Sequence, residues 1–308
     1  MDKTEKEYQE IIDKLKEDLY NYEIFFDNSE EAFFIHIDGV PIVMNNAALK
    51  LIGIKREELA NFLLYDFIAE EDLEMVKNKI RSGFEGVYEF RIKRKNGEKI
   101  PCRFYVKKIL YRDKIARVVF VRDISDEIKK LQEQEKQIKD IEKYRKVLVA
   151  MAKAISKIEI SYERTIEIII EMAHFAINSC CCGFWMLEDN NKYLQPIILI
   201  TEDLNKEDYR IDLHNLNKDF IENRINIIES IEIREKIFPK SKCKEKILLM
   251  SPVKYEENFI GVIIFFRNSP WLQYEQDFIA SVSDMVMLAF EKWNRKWAEE
   301  ELQTTLKE

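Results

Sequence analysis

The chain has 308 residues, 46% of them apolar and 34% charged, with a formal net charge of −8. That is a globular composition with room for two domains, and its acidic balance argues against nucleic acid as a partner, since no basic stripe offsets it. No apolar span reaches the roughly 18 residues of a membrane helix, the charged start MDKTEKEYQE is unlike a signal peptide, and five cysteines, three of them adjacent, are no disulfide framework. The expected location is the cytoplasm, with reduced thiols.

In the first segment Tyr8, Ile12, Leu15, Leu19, Tyr22 and Phe26 step by four and three, a heptad seam that predicts a coiled-coil helix over 1–27. AFFIHIDGVPIVMNN then reads as a β-hairpin turned at Asp38-Gly39. Helices are predicted at AALKLIGI, KREELANFLLYDFI and EEDLEMVKNKIRSG, the last with Gly83 as its C-terminal cap. GVYEFRIKRKNGEKIPCRFYVKKIL gives two strands around Asn96-Gly97, and KIARVVFVRD gives a third. This β-β-α-α-α-β-β-β order predicts an antiparallel sheet with helices packed on one face.

The third strand runs straight into a long charged helix with no Gly or Pro between. Arg122, Asp123, Ile124 and Ser125 form the junction, and Asp123 and Ser125 are short polar residues of the kind that cap the first free helical N–H groups. Ile128, Leu131 and Ile138 fit one apolar register, while Ile141, Tyr144, Leu148, Met151, Ile155 and Ile158 fit a second. The phases differ by a one-residue skip between Ile138 and Ile141, a place where two packings of nearly equal energy are expected. A buried helix at YERTIEIIIEMAHFAINS follows, then strands at CCCGFWMLEDNNKYLQPIILIT around an Asp-Asn-Asn turn. NKDFIENRINIIES predicts a helix and a short strand, EKILLMSPVKYEENFIGVIIFFRN two strands, and the remainder a long final helix. In that helix Val286, Phe290, Trp293 and Trp297 again step by four and three.

Residues 28–125 resemble a PAS domain. The likeness is carried by the Asp38-Gly39 hairpin followed by Asn45 and AALKLIGI, then by IAEEDLEMV, RKNGEKIPCRF and the closing VRDIS, where Ser125 stands in place of the family's common Thr. Residues 147–292 resemble a GAF domain, through CCCGFWML, Pro252 and above all LLMSPVKYEENFIGVIIFF followed by Trp271, Glu275, Phe278 and the helix through Ala289. The resemblance implies an α+β protein of two domains, each a central antiparallel sheet flanked by helices. A signalling helix at 126–146 would join them, and a helix at 293–308 would lead to an output domain. It also implies a small-molecule pocket between sheet and helices in each domain.

Specific chemistry is mostly absent from the sequence. The flavin-photosensor PAS motif needs a reactive Cys, and FLLYDFIAEED has none; haem-binding PAS domains ligate iron from a His on the long helix, and EEDLEMVKNKI has none. Bilin-binding GAF domains attach pigment at a Cys often followed by His, and Cys243 lies in SKCKEK. Flavin, haem and bilin are therefore not supported, and the cofactor is left unknown. The cyclic-nucleotide set of GAF domains is matched only in part, by Asn217, Lys218 and Phe220. His36 reads as a structural or surface residue; His174 and His214 have no partner at metal-ligand spacing. Cys180, Cys181 and Cys182 read as small core residues on a strand, at most Cys180 and Cys182 sharing a side. The alternative is a redox or metal-sensing site completed by Cys243, which requires an exposed thiol of lowered pKa. No metal site is assigned. The seven glycines form no phosphate loop, and no catalytic motif occurs.

The expectation is thus a non-enzymatic sensory input module. It would pair with itself as a parallel homodimer, bind a small molecule or sense redox state, and act on a histidine kinase or diguanylate cyclase output in cis or in trans, as part of a longer chain or on its own. The alternatives are a thiol-based GAF enzyme of the methionine sulfoxide reductase kind and a ligand-free dimerisation scaffold.

Overall fold

The computed structural model describes residues 3–156, 161–188, 192–201, 209–216, 218–238, 246–256 and 258–305. The chain divides into two compact units, Met1–Glu135 and Lys136–Glu308.

In the first unit, helix α1 (Lys3–Asp27) precedes a hairpin of β1 (Ala32–Ile37) and β2 (Val40–Met44). Asp38 and Gly39 both take positive φ, 51° and 85°, which is the turn that the twist of a two-residue hairpin requires. Buried Asn45 caps α2 (Asn46–Ile52): its Oδ1 accepts the N–H groups of Ala48 and Phe33, each at 3.0 Å. The single helix expected over KREELANFLLYDFI is instead two 3₁₀ turns, Arg56–Asn61 and Leu64–Phe67. The reason is local. Glu58 and Asp66 each reach back three residues, to the N–H groups of Lys55 and Leu63, and Leu59/Phe62 and Leu64/Phe67 are spaced by three, the 3₁₀ period. Helix α3 (Leu73–Arg81) ends where Gly83 turns to φ 67°.

Strands β3 (Gly86–Lys93), β4 (Lys99–Tyr111) and β5 (Lys114–Asp123) complete an antiparallel sheet of order β2-β1-β5-β4-β3. Ile100, Cys102, Phe104 and Val106 alternate inward along β4 and join Val119 and Val121 of β5 in one core with α2, α3 and the 3₁₀ turns.

Helix α4 (Ser125–Ser156) follows directly. Its two apolar registers have different environments. Leu131, Ile138 and Ile141 are exposed, whereas Tyr144, Met151 and Ile155 are buried in the core of the second unit. The change of environment falls after Ile141, one step into the second register, so the phase skip between Ile138 and Ile141 lies within the exposed stretch. Ile158 lies outside the described residues.

The second unit contains α5 (Tyr162–Ile177), β6 (Cys181–Leu187), β7 (Tyr193–Ile200), β8 (Ile211–Asp212), α6 (Lys218–Glu222), β9 (Asn226–Ile228), α7 (Ile231–Ile237), β10 (Ile247–Tyr255), β11 (Asn258–Arg267) and α8 (Gln273–Thr305). The sheet order is β8-β7-β6-β11-β10-β9, antiparallel throughout. Both faces are covered. The end of α4, α5 and α8 share one core with Phe184, Leu249, Ile263 and Phe265; Trp185, Phe238, Met250, Val262 and Phe266 make the other. Two glycines set the strand spacing here: a Cβ at Gly183 would lie 2.4 Å from the Ile198 carbonyl oxygen, and one at Gly261 would lie 2.3 Å from that of Trp185. At the start of α8, Glu275 forms a buried two-pronged pair with Arg267 and accepts the Leu272 N–H at 2.8 Å, while the guanidinium lies 4.0 Å from the Trp271 ring centre. Helix α7 lies in residues 231–244, to which the sequence analysis assigns no element. The Asp-Asn-Asn turn lies outside the described residues.

Candidate functional site

Between the sheet and the helices of the first unit lies a cavity of about 60 Å³. Its walls are mostly apolar: Phe34, Met44, Ala48, Leu51, Ile52, Leu64, Phe67, Ile68, Val76, Ile80, Phe90, Ile92, Phe104, Val119 and Val121. His36, Tyr65 and Tyr88 supply the polar groups.

His36 is only 3% exposed. Its Nδ1 accepts the Gly39 N–H at 3.1 Å, so the imidazole is held with Nδ1 unprotonated and Nε2 as donor. Burial, with the charge of Arg117 adding to it, lowers the His36 pKa to about 4, against the opposing pull of Asp38. Tyr65 packs where a side chain on Gly39 would stand, and the Leu64 N–H bonds the Gly39 carbonyl at 2.9 Å. The hairpin turn, the second 3₁₀ turn and the cavity are therefore one assembly.

Arg117 faces His36 across the β1–β5 pairing and is 6% exposed. Its Nη2 donates to the carbonyls of Phe84 and Lys79 at the end of α3, a favourable place for a cation. Tyr88 is pushed above its ordinary pKa by burial, a rise that the Arg117 charge partly offsets. Sequence reasoning singled out neither Arg117 nor Tyr88. The readable signal was parity: Arg117 has the same inward phase as Val119 and Val121.

The junction residues stand at the other end of β5. Arg122 and Asp123 pair with Arg103 and Cys102 of β4 and are exposed. Asp123 Oδ1 accepts the Ser125 N–H at 2.8 Å. Ile124 is buried, its N–H bonding the Pro101 carbonyl at 3.0 Å and its carbonyl accepting the Ile128 N–H at 2.9 Å. Arg103 holds Glu127 of the first helical turn through two bonds of 3.1 Å, and Arg122 pairs with Glu31.

Cys180 and Cys182 lie close enough for the charge of one to act on the other, whereas Cys181 faces away from both. Cys181 and Cys182 are buried on opposite faces of β6, in separate cores. Burial pushes the Cys182 thiol well up and the Cys102 thiol up to about 12. Cys180 is exposed just before the strand, its Sγ 2.8 Å from the Phe266 carbonyl oxygen. Cys243 and Asn217 lie outside the described residues. Phe220 is buried and lines an open groove bounded by α6, β9 and α7. Among the described residues no cluster of three metal-ligating side chains occurs, and no helix is long and apolar enough to cross a membrane.

Residues 30–126 match the family model of the PAS domain. The cavity, the hairpin and the strand-to-helix junction all belong to this PAS domain. Among solved structures, the PAS domain of an HTR-like protein from Haloarcula marismortui is 20% identical, over 38% of this chain and 99% of its own, with a TM-score of 0.35. The GAF domain of a phosphoenolpyruvate-protein phosphotransferase from Acinetobacter is 13% identical, over 50% of this chain and 93% of its own, with a TM-score of 0.40. The free methionine-R-sulfoxide reductase of Neisseria meningitidis is 11% identical, over 50% of this chain and 91% of its own, with a TM-score of 0.43. No curated protein matches the chain.

Proposed function

We propose that the chain is a cytoplasmic sensory input module, a PAS domain at 28–125 and a GAF domain at 147–292, in which occupancy of the PAS cavity is relayed along β5 into α4. One observation carries this reading. Val119 and Val121 line the cavity, and the same strand ends two residues later at the Asp123 cap of α4. A guest that displaces Val121 therefore acts on a strand with no loop in which the movement could be absorbed. The relay residues are Arg122, Asp123, Ile124 and Ser125, with Ile138 and Ile141 in the exposed part of the helix. The GAF reading is supported by the covered antiparallel sheet and by Trp271, Glu275 and Phe278 at the base of the closing helix. Exposed apolar residues on α1 (Leu15, Leu19, Tyr22) and α4 (Leu131, Ile138) support pairing with a second copy in parallel, because such stripes are otherwise costly in water. The output, in cis or in trans, is a histidine kinase or a diguanylate cyclase. A thiol enzyme would have to work through Cys180 or Cys243, because burial holds the Cys102 and Cys182 thiols away from the thiolate.

The test fills the cavity from within. Val121→Phe should change amide exchange over residues 125–140 several-fold and leave residues 273–290 unchanged. Unaltered exchange at 125–140 overturns the relay. Native mass spectrometry should show a dimer; a monomer at micromolar concentration overturns the pairing.

A further inference from the structure

Strands β4 and β5 outrun their neighbours. β3 pairs with β4 only as far as Val106, and β1 pairs with β5 only as far as Arg117. Beyond those points Ile109 with Ala116, Leu110 with Ile115 and Tyr111 with Lys114 continue as a two-stranded ribbon about 10 Å long. Its turn, Arg112-Asp113, takes φ of 47° and 63°, the two-residue geometry that matches strand twist, so the strands stay paired to the tip. Leu110 is 75% exposed, and Ile115, directly opposite on the same face, is 70% exposed. Lys107, Lys108, Arg112 and Lys114 surround them, all exposed. Elsewhere in the same three strands the surface cations Arg91, Lys93, Lys99, Arg103 and Arg122 each sit in an ion pair. Among the described residues none of the ribbon's four cations meets a carboxylate within ion-pair distance. The acidic groups at hand are Asp113 in the turn and Glu85, whose Oε1 accepts the Lys108 N–H at 2.7 Å.

We propose that this ribbon is a peripheral anchor for an anionic lipid bilayer, in which Leu110 and Ile115 enter the acyl boundary while Lys107, Lys108, Arg112 and Lys114 meet the charged headgroups. The inference goes beyond the sensory reading and does not depend on it. An apolar tip ringed by cations suits the membrane interface, where burial of the apolar side chains and attraction to anionic lipid add together. A finger of about 10 Å matches the roughly 5–10 Å depth to which such interfacial elements sink. Other anionic partners fit less well. A nucleic-acid backbone offers phosphates to the cations but leaves Leu110 and Ile115 in water. A specific protein interface takes about 20–30 residues a side, and the ribbon with its turn, 109–116, is much smaller. A bilayer is fluid and needs no complementary shape. The chain's net charge of −8 opposes this contact little, because charges more than about 8 Å from the surface are largely screened at physiological salt.

The test is co-sedimentation of the full chain with vesicles of phosphatidylcholine alone and of equimolar phosphatidylcholine and phosphatidylserine. The expected result is binding to the mixed vesicles that falls as salt is raised, and binding at least tenfold weaker to phosphatidylcholine alone. Leu110→Ser combined with Ile115→Ser should weaken binding to the mixed vesicles at least tenfold. Lys107→Gln combined with Arg112→Gln and Lys114→Gln should do the same. All five side chains are exposed or at the turn, and the comparison of the two vesicles is made on the unaltered chain, so it holds even if a variant does not fold. No binding to the mixed vesicles overturns the anchor. Binding that neither variant weakens also overturns it, because the lipid contact then lies elsewhere, as on the exposed apolar stripe of α1. Binding weakened by the glutamine variant and untouched by the serine variant overturns the bilayer assignment in favour of a soluble polyanion.

Discussion

The two sheets are filled in opposite ways. In the second unit β11 is buried from Gly261 to Arg267, with a core on each face and glycines where neighbouring strands press closest. In the first unit the inner face of the sheet leaves a cavity, and ionisable groups rather than packed methyls stand at its corner. Dense packing transmits strain and resists change, whereas a void tolerates a guest. The comparison sets a unit with room for a guest beside one whose sheet is packed on both faces.

The strongest way to break this contrast is to open the second unit's buried ion pair. Glu275→Gln leaves the Arg267 guanidinium buried without its counter-charge, at an expected cost of about 3–5 kcal/mol. All four tryptophans lie in the second unit, so tryptophan fluorescence during denaturation reads that unit alone.

The first unit should instead respond to acid. His36 has an ordinary pKa of 6.5 and one near 4 in the fold. Above the ordinary value it is neutral whether folded or unfolded, so nothing is lost there. As pH falls below it the unfolded chain takes the proton first, and stability drains away until the folded pKa is passed, by about 3 kcal/mol in all. Denaturation followed at the Met44 methyl between pH 7 and about 4 should show this slope, and His36→Phe should flatten it.

A matched pair of added methylenes sharpens the contrast. Val262→Ile, in a filled core, should cost about 1–3 kcal/mol. Val119→Ile, beside the cavity, should be neutral or stabilising by up to about 1 kcal/mol. Equal costs would mean that the cavity is not usable space. A small, local effect is expected at the junction, where Asp123→Ala removes one cap bond and should cost about 1 kcal/mol, read as faster amide exchange in the first turn of α4.

Much of this was readable in the sequence because it is local chemistry. Asp38-Gly39 specifies its hairpin, Gly83 its helix end, and Asp123 its cap, each through conformations or bonds made within a few residues. The two 3₁₀ turns were misread as one helix because a spacing of three also suits the α-helical period over so short a run. The candidate site was the least legible part. Arg117 reads as a polar residue near a strand's start, and only the pairing of β5 with β1 brings it to His36. Likewise, nothing in the run Cys180–Cys182 distinguishes an exposed thiol from two buried ones until the strand's first residue is known.

From Lys129 to Lys139 every residue of α4 is exposed, while its start is tied to β4 through Glu127 and its end is capped by Lys292, which donates to the carbonyls of Ile155 and Ser156 at 2.8 and 3.0 Å. Both ends of the helix are anchored and the middle touches nothing of its own chain's cores. Each residue inserted or deleted there would turn the apolar register of the helix's second half against that of its first by about 100°. The stretch is a dial as well as a rod: seven residues added would nearly restore the angle, and three or four would come within about 60° of it from either side.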